Sequence, residues 1–77
     1  MKLVKIVWYD AFSDSCWYDK EEITAVEAVR CESVGYIVSE NDREIKLCHT
    51  ISDSDLLLGR LIIPKGMIRE TKELNEK

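Results

Sequence analysis

The sequence predicts a mainly β fold, a small five-stranded barrel, closed or half-closed, that forms a single domain over residues 1–77. Three observations predict it. Apolar and polar residues alternate in several short runs, glycines stand inside two of these runs, and clusters of Asp, Ser, Asn, Gly or Pro separate them. Closure would also remove the unpaired edges that an open sheet of this size exposes.

The first strand is predicted from the run KLVKIVWY. Val4, Ile6 and Trp8 fall on one side of it at a period of two, so we expect Trp8 to fill the barrel from inside. The opposite side is also half apolar. Residues 10–16 follow as a turn or an irregular loop, because their Asp and Ser side chains favour hydrogen bonds to their own backbone.

The next stretch has two interpretations. Asp19 followed by Glu22 resembles a capping box, and KEEITAVEAV after Asp19 could form a short helix within residues 20–28. The same run could instead be extended from about Ala25. Both interpretations stay open at this point.

A long second strand and a third strand form a predicted hairpin. The run VRCESVGYIVSE, from Val29, is rich in β-branched and aromatic residues, and Gly35 allows it to bend. The tight turn END at residues 40–42 follows. REIKLCHTI then alternates strictly, which places His49 on the inward side with the isoleucines and leucine.

The last third of the chain supplies two more strands. SDSD at residues 52–55 is a loop, and LLLGRLII is a strand that bends at Gly59. Pro64 then begins a tight turn, because it has a fixed φ and no amide donor. A final strand runs from Ile68 to about Leu74, before a charged end at residues 75–77 that we expect to fray. Five such strands favour an SH3-like or Sm-like architecture.

Composition limits the function classes. A net charge of −4 disfavours nucleic-acid binding, because affinity for phosphate depends on Lys and Arg. Cys16, Cys31 and Cys48 fit neither a disulfide framework nor a metal knuckle, so we expect reduced, mostly buried thiols. No apolar run reaches the roughly 20 residues that cross a bilayer, and the opening residues do not resemble a signal peptide. We therefore expect a cytoplasmic protein without membrane contact.

Catalysis is not predicted. Most of the aspartates occupy turns, where Asp is favoured for local hydrogen bonds. Cys48 and His49 are neighbours on one strand, so their side chains point apart and cannot act as a nucleophile pair. Neither a Gly-rich phosphate loop nor a metal-ligand spacing is present in the sequence. The sequence thus predicts a non-enzymatic protein without a metal or cofactor.

The candidate site residues are rings beside a polar loop, an acid and two arginines. Trp17 and Tyr18 flank the loop, where an aromatic ring serves as a stacking platform or an interface anchor. Arg60 follows a glycine and presents a fork suited to phosphate or carboxylate; the alternative is an ordinary outward-facing arginine. Core packing is the alternative for Tyr36, and solvation of the turn beside Lys65 is the alternative for Arg69. The candidate ligand-binding residues are Trp17, Tyr18, Asp10, Tyr36, Arg60 and Arg69.

Three segments, VKIVWYDAFSDSCW, ESVGYIVSE and IIPKGMIRE, together resemble a group of small phage-encoded β-barrel proteins. The pattern of that group is a Trp-x-Asp strand end, a Ser-rich loop reaching a second Trp, an SVG-aromatic strand and an Ile-Pro-Lys turn. The resemblance covers roughly residues 3–70 and leaves 20–30 unplaced. Cys16 stands where the group usually has Gly, and Tyr36 where it often has Trp. Similar phage proteins include oligomers that sequester nucleotide-derived immune signals of the bacterial host.

Three functions follow as hypotheses. The resemblance implies an anti-defence protein of the host cytoplasm, a homo-oligomer that holds a small nucleotide-like ligand between protomers. The exposed aromatics expected at the loop would equally suit an adaptor that binds a host or phage protein. An Sm-like ring that binds RNA is the third hypothesis, and the net charge of −4 disfavours it.

Overall fold

The computed structural model describes residues 1–74, and its elements confirm a mainly β chain. The predicted frayed end at residues 75–77 lies outside the described residues. The elements in chain order are β1 (Leu3–Asp10), α1 (Lys20–Ala25), β2 (Val29–Glu40), β3 (Glu44–Cys48), β4 (Thr50–Ile51), β5 (Leu57–Leu58), β6 (Leu61–Pro64), a 3₁₀ turn (Lys65–Met67) and β7 (Ile68–Glu73).

Five of the strands form one antiparallel sheet in the order β6-β3-β2-β1-β7, and β4 and β5 form a separate two-stranded sheet. The predicted hairpin of the second and third strands is confirmed, since β2 pairs with β3. Asn41 sets its turn, because its Oδ1 accepts from the backbone N–H of Arg43 at 2.8 Å and of Glu44 at 3.1 Å.

The sheet is not closed into a barrel, so that part of the fold prediction is wrong. Within residues 1–74, β6 pairs with β3 and β7 pairs with β1, but the two edge strands do not pair with each other. The predicted fourth strand is interrupted at Gly59, whose φ is +77°. This break leaves β6 only four residues long, and its last residue, Pro64, has no N–H to offer β7.

The core lies on one face of the sheet. Trp8 packs against it as predicted, and the indole Nε1 donates to Ser33 Oγ at 3.0 Å on the same face. Gly35 is buried, and a Cβ there would lie 2.8 Å from the carbonyl oxygen of Cys48, so a close backbone approach explains this glycine. The buried core residues are Val4, Ile6, Ile45, Leu47 and Ile63.

The third strand ends earlier than predicted, at Cys48, and the prediction that His49 faces inward is wrong. His49 is exposed, and its backbone N–H donates to the carbonyl of Leu58 at 3.1 Å. The chain turns out of the main sheet here because β4 pairs with β5 instead. A Cβ on Gly59 would overlap the His49 ring, so the positive φ and the close ring together require glycine.

Residues 11–28, which we call the arm, connect β1 to β2 and are exposed throughout. The helical interpretation is confirmed as α1, and the Asp19 carboxylate caps it by accepting from the N–H of Glu22 at 2.8 Å. The molecule measures 53 × 25 × 22 Å, with a radius of gyration of 16.0 Å. A compact domain of this length has about 11–12 Å. The chain is therefore elongated, and the arm contributes nothing to the buried core.

The cysteines are free, but the prediction that they are mostly buried is wrong. Cys48 is buried, Cys31 is half-buried and Cys16 is exposed, because it lies in the arm. Within residues 1–74, no helix has the length and apolar character that crossing a membrane requires.

Candidate functional site

The polar loop of the arm is organised by one carboxylate. Asp14 accepts from the backbone N–H of Cys16 at 3.1 Å through Oδ1, and from the hydroxyl of Tyr18 at 3.0 Å through Oδ2. Aspartate commonly bonds its own backbone two residues on, which is why the loop turns here. Asp14 thus fixes the loop and orients the Tyr18 ring with the same side chain.

The hydrogen bond to Asp14 raises the pKa of Tyr18 above its ordinary value. A second side-chain hydrogen bond, to Cys16, and slight desolvation act in the same direction. The bond to Asp14 favours the protonated phenol, because an ionised oxygen could not donate to a carboxylate. Desolvation favours the same form, because it disfavours the charged one. Tyr18 is therefore a hydrogen-bond donor, held in place, at neutral pH.

An open cavity of about 530 Å³ lies between the loop and α1. Its volume falls within the roughly 300–1,000 Å³ typical of small-molecule sites. Its floor is apolar and its charged lining residues are all acidic. We call it the arm cavity, and its principal lining residues are Phe12, Asp14, Tyr18, Glu22, Ile23, Val26 and Glu27.

Trp17 is the most exposed of the predicted site residues, with its full surface open to solvent. It follows Cys16 and precedes Tyr18, both of which line the arm cavity, but Trp17 itself does not. An indole with no packing partner among residues 1–74 leaves a large flat apolar surface available to a ligand or another protein. Its role in binding stays a prediction.

A second hollow, of about 190 Å³, lies beside the β4–β5 hairpin on the sheet face opposite the core. Its charged lining residues are two cations, Lys46 and Arg60, in contrast to the acids of the arm cavity. Lys46 Nζ lies 3.5 Å from Glu44 Oε2, whereas Arg60 has no acidic partner within 4.0 Å among residues 1–74. We call it the β4–β5 groove, and its apolar lining residues include Val38, Leu57, Leu58 and Ile62.

The six predicted site residues do not share one pocket in a single chain. Tyr18 lines the arm cavity and Arg60 lines the β4–β5 groove. Asp10 is exposed at the end of β1, and Tyr36 is half-buried in β2, opposite Leu3 and Cys48. Arg69 makes a cation–π contact that the sequence did not reveal. Its guanidinium lies 5.3 Å from the centre of the Tyr9 ring.

Sequence reasoning missed the apolar side of the arm cavity. Phe12, Ile23 and Val26 line it, and all three are exposed. Ile23 and Val26 are three residues apart, the spacing that brings two side chains to one side of a helix, so a signal was present. That signal pointed equally to a helix packed on the core, and α1, the α-helix within residues 1–74, has no buried residue.

No group of three or more His, Cys, Asp or Glu residues within 1–74 is placed to hold a metal ion. Cys48 is buried, whereas His49 is exposed. The Nδ1 atom of His49 lies 2.7 Å from the hydroxyl oxygen of Thr50. The thiol and the imidazole therefore have different surroundings. The described residues offer apolar surface, carboxylates, a phenol donor and separate cations.

Comparisons of the chain with protein-family models, with curated proteins and with solved structures gave no match.

Proposed function

We propose that this chain is a non-enzymatic binding protein that captures a small nucleotide-derived ligand. The observation that carries the proposal is the fully exposed indole of Trp17, which lies in the chain between Cys16 and Tyr18, two residues that line the arm cavity. Stacking of a base on an aromatic ring contributes roughly 1–3 kcal/mol, and it tolerates any base because each has a flat π face. The resemblance to phage-encoded proteins supports the same ligand class and an anti-defence role in the host cytoplasm.

The charges around the arm cavity constrain how such a ligand would lie. Asp14, Glu22 and Glu27 can accept hydrogen bonds from ribose hydroxyls or from the amino groups of a base. They would repel phosphate, because like charges at short range oppose each other. The base and sugar would therefore occupy the cavity and the phosphates would lie outside it, because no cation is among the residues that line it.

The test uses both release and titration. Protein purified from bacteria with activated defence systems is heated, and the released small molecules are identified by mass spectrometry. A panel of linear and cyclic nucleotides is then titrated into the protein by isothermal titration calorimetry, which does not depend on a tryptophan signal. We expect one nucleotide class to be released and to give a binding isotherm. Release of no nucleotide from any signalling system, with no titration response, would refute the proposal.

Two variants make this test specific. Trp17→Ala should weaken binding by about 5- to 150-fold, which corresponds to the stacking contribution of one base. Val34→Ala is the matched control, because Val34 is also exposed but lies on the sheet, in β2. Equal affinity of the two variants would exclude Trp17 as the platform.

A second candidate function is an adaptor that binds a host or phage protein. It is favoured by the extent of exposed apolar surface on the arm, where Phe12, Ile23 and Val26 accompany Trp17. Aromatic and aliphatic anchors of this kind are typical of protein interfaces. Affinity purification from infected cells separates the two functions. An adaptor retains a stoichiometric polypeptide partner, whereas a capture protein retains a small molecule.

We also propose that the sheet belongs to the SH3-like or Sm-like class. Five antiparallel strands, a close backbone approach at Gly35 and a 3₁₀ turn directly before the last strand support this assignment. RNA binding of the Sm type is not part of the proposal, because the chain carries a net charge of −4. A gel-shift assay at low salt should therefore show no salt-dependent shift of RNA.

A further inference from the structure

Exposed apolar side chains on this chain outnumber the buried ones. Within residues 1–74, seven hydrophobic residues are buried, whereas fourteen large hydrophobic residues are exposed. Scattered single exposures are ordinary, but these concentrate in two places, the arm and the surroundings of the β4–β5 groove. Two apolar surfaces without partners on one small chain are a feature of proteins that associate.

The two surfaces carry opposite charge. Five acids and one base lie within the arm, so the arm holds the whole net charge of −4 and the remainder of the chain is neutral. The β4–β5 groove has Lys46 and Arg60 as its charged lining residues. An acidic, apolar arm and a cation-lined, apolar groove are complementary in both respects, and complementarity of this kind selects partners and orientation.

The arm does not fill the groove of its own chain. Its residues are exposed along their whole length. The arm joins β2 at Val29, whereas the groove begins where Cys48 lies opposite Tyr36. Seven residues of an extended strand separate these points, a distance of about 23 Å. The arm is therefore free to occupy the groove of another molecule.

We propose that the arm of one chain docks into the β4–β5 groove of a second copy. Phe12, Ile23 and Val26 would cover the apolar floor of the groove, and Glu22 or Glu27 would pair with Arg60 of that second copy. Such a contact joins unlike surfaces, so it closes either as a reciprocal exchange of arms between two chains or as a ring. In the reciprocal dimer each chain would contribute both its arm of 18 residues and its groove, which reaches the roughly 20–30 residues a side of a stable interface.

This inference does not require a ligand, but it bears on the proposed function. Docking would bring Arg60 of the second copy toward Glu22 and Glu27 of the arm cavity, whose own lining contains no cation. The nucleotide proposal predicts phosphates in that region. Self-association is measured without nucleotide, so the two proposals can fail separately.

The test measures mass in solution by analytical ultracentrifugation and native mass spectrometry. We expect the unaltered chain to form a dimer or a ring at micromolar concentration. Arg60→Glu should weaken association by at least about tenfold, because it places a carboxylate against the acidic arm. Arg43→Glu is the matched control, since Arg43 is an exposed arginine in the β2–β3 turn, outside the groove, and should leave association unchanged.

A charge exchange identifies the contact. A chain with Glu22→Arg and Glu27→Arg should also associate weakly, and its mixture with the Arg60→Glu chain should restore association. Ile23→Asp should weaken association as well, while circular dichroism shows that the sheet remains folded. A monomeric parent chain, an Arg60→Glu variant equal to Arg43→Glu, or a mixture that stays dissociated would each overturn the proposal.

Discussion

Substitution of Gly59 by alanine tests the most specific local feature of the fold, the kink between β5 and β6. Gly59 has a φ of +77°, a region where an L side chain costs about 1–2 kcal/mol. Its added Cβ would also overlap the His49 ring. That ring is exposed and can rotate away, but it then loses its 2.7 Å contact with the Thr50 hydroxyl, worth about 0.5–1.5 kcal/mol.

One term opposes these losses. Alanine restricts the unfolded chain more than glycine does, which stabilises the folded state by about 0.4–1 kcal/mol wherever the native φ allows it. The net expectation for Gly59→Ala is a loss of about 0.5–3 kcal/mol in the free energy of unfolding. Gly66→Ala is the matched control, because nothing lies within 4 Å of its added Cβ and its φ is not positive. It should be neutral or slightly stabilising.

The assay is urea unfolding followed by far-ultraviolet circular dichroism, with all variants at one protein concentration because self-association would contribute to stability. His49→Ala supplies a double-mutant cycle with Gly59→Ala. The double variant has no His49 ring for the new Cβ to displace. We therefore expect a coupling free energy between the two substitutions of about 0.5–1.5 kcal/mol. Equal stability of Gly59→Ala and Gly66→Ala, or a coupling of zero with an unchanged urea slope, would refute this explanation of the kink.

Three further predictions concern the core, the arm helix and the loop. Ile63→Ala should lower the free energy of unfolding by about 2–5 kcal/mol in urea titrations, because Ile63 is fully buried; a loss below 1 kcal/mol would contradict its place in the core. Asp19→Ala should reduce the helical dichroism of α1, which it caps, while the urea midpoint of the sheet stays constant; a large drop in that midpoint would show that the arm supports the sheet. Asp14→Asn should lower the pKa of Tyr18 toward its ordinary value in an ultraviolet titration, because the carboxylate that raises it is gone; an unchanged pKa would exclude their hydrogen bond in solution.

Much of the β sheet could be predicted from local chemistry. The dense β-branched run from Val29, the turn signal at 40–42 and the alternation in β1 each depend on neighbouring residues, and all three appear in the structure. Trp8 faces the core for the same reason, since a period of two fixes the side of a strand. Where residues a few positions apart determine the conformation, the sequence alone predicts it correctly.

Closure and the path around His49 could not be predicted in this way. Whether β6 meets β7 depends on the length of chain left after the break at Gly59, and that break depends on a ring ten residues earlier. The prediction that His49 faces inward assumed that the alternation of β3 continues beyond Cys48. The chain instead leaves the main sheet there, and β4 pairs with β5. Long-range pairing decided both outcomes, and local patterns do not encode it.

The separation of folding from binding follows from where the apolar residues lie. The core residues come from β1, β3 and β6, so the sheet can bury them without residues 11–28. Ile23 and Val26 would be core residues by type and spacing, yet they are exposed, so they add nothing to the stability of an isolated chain. Substitutions in the arm should consequently change ligand capture or self-association while the unfolding of the sheet stays constant. Substitutions such as Ile63→Ala should have the opposite pattern, with association lost only when the fold is lost.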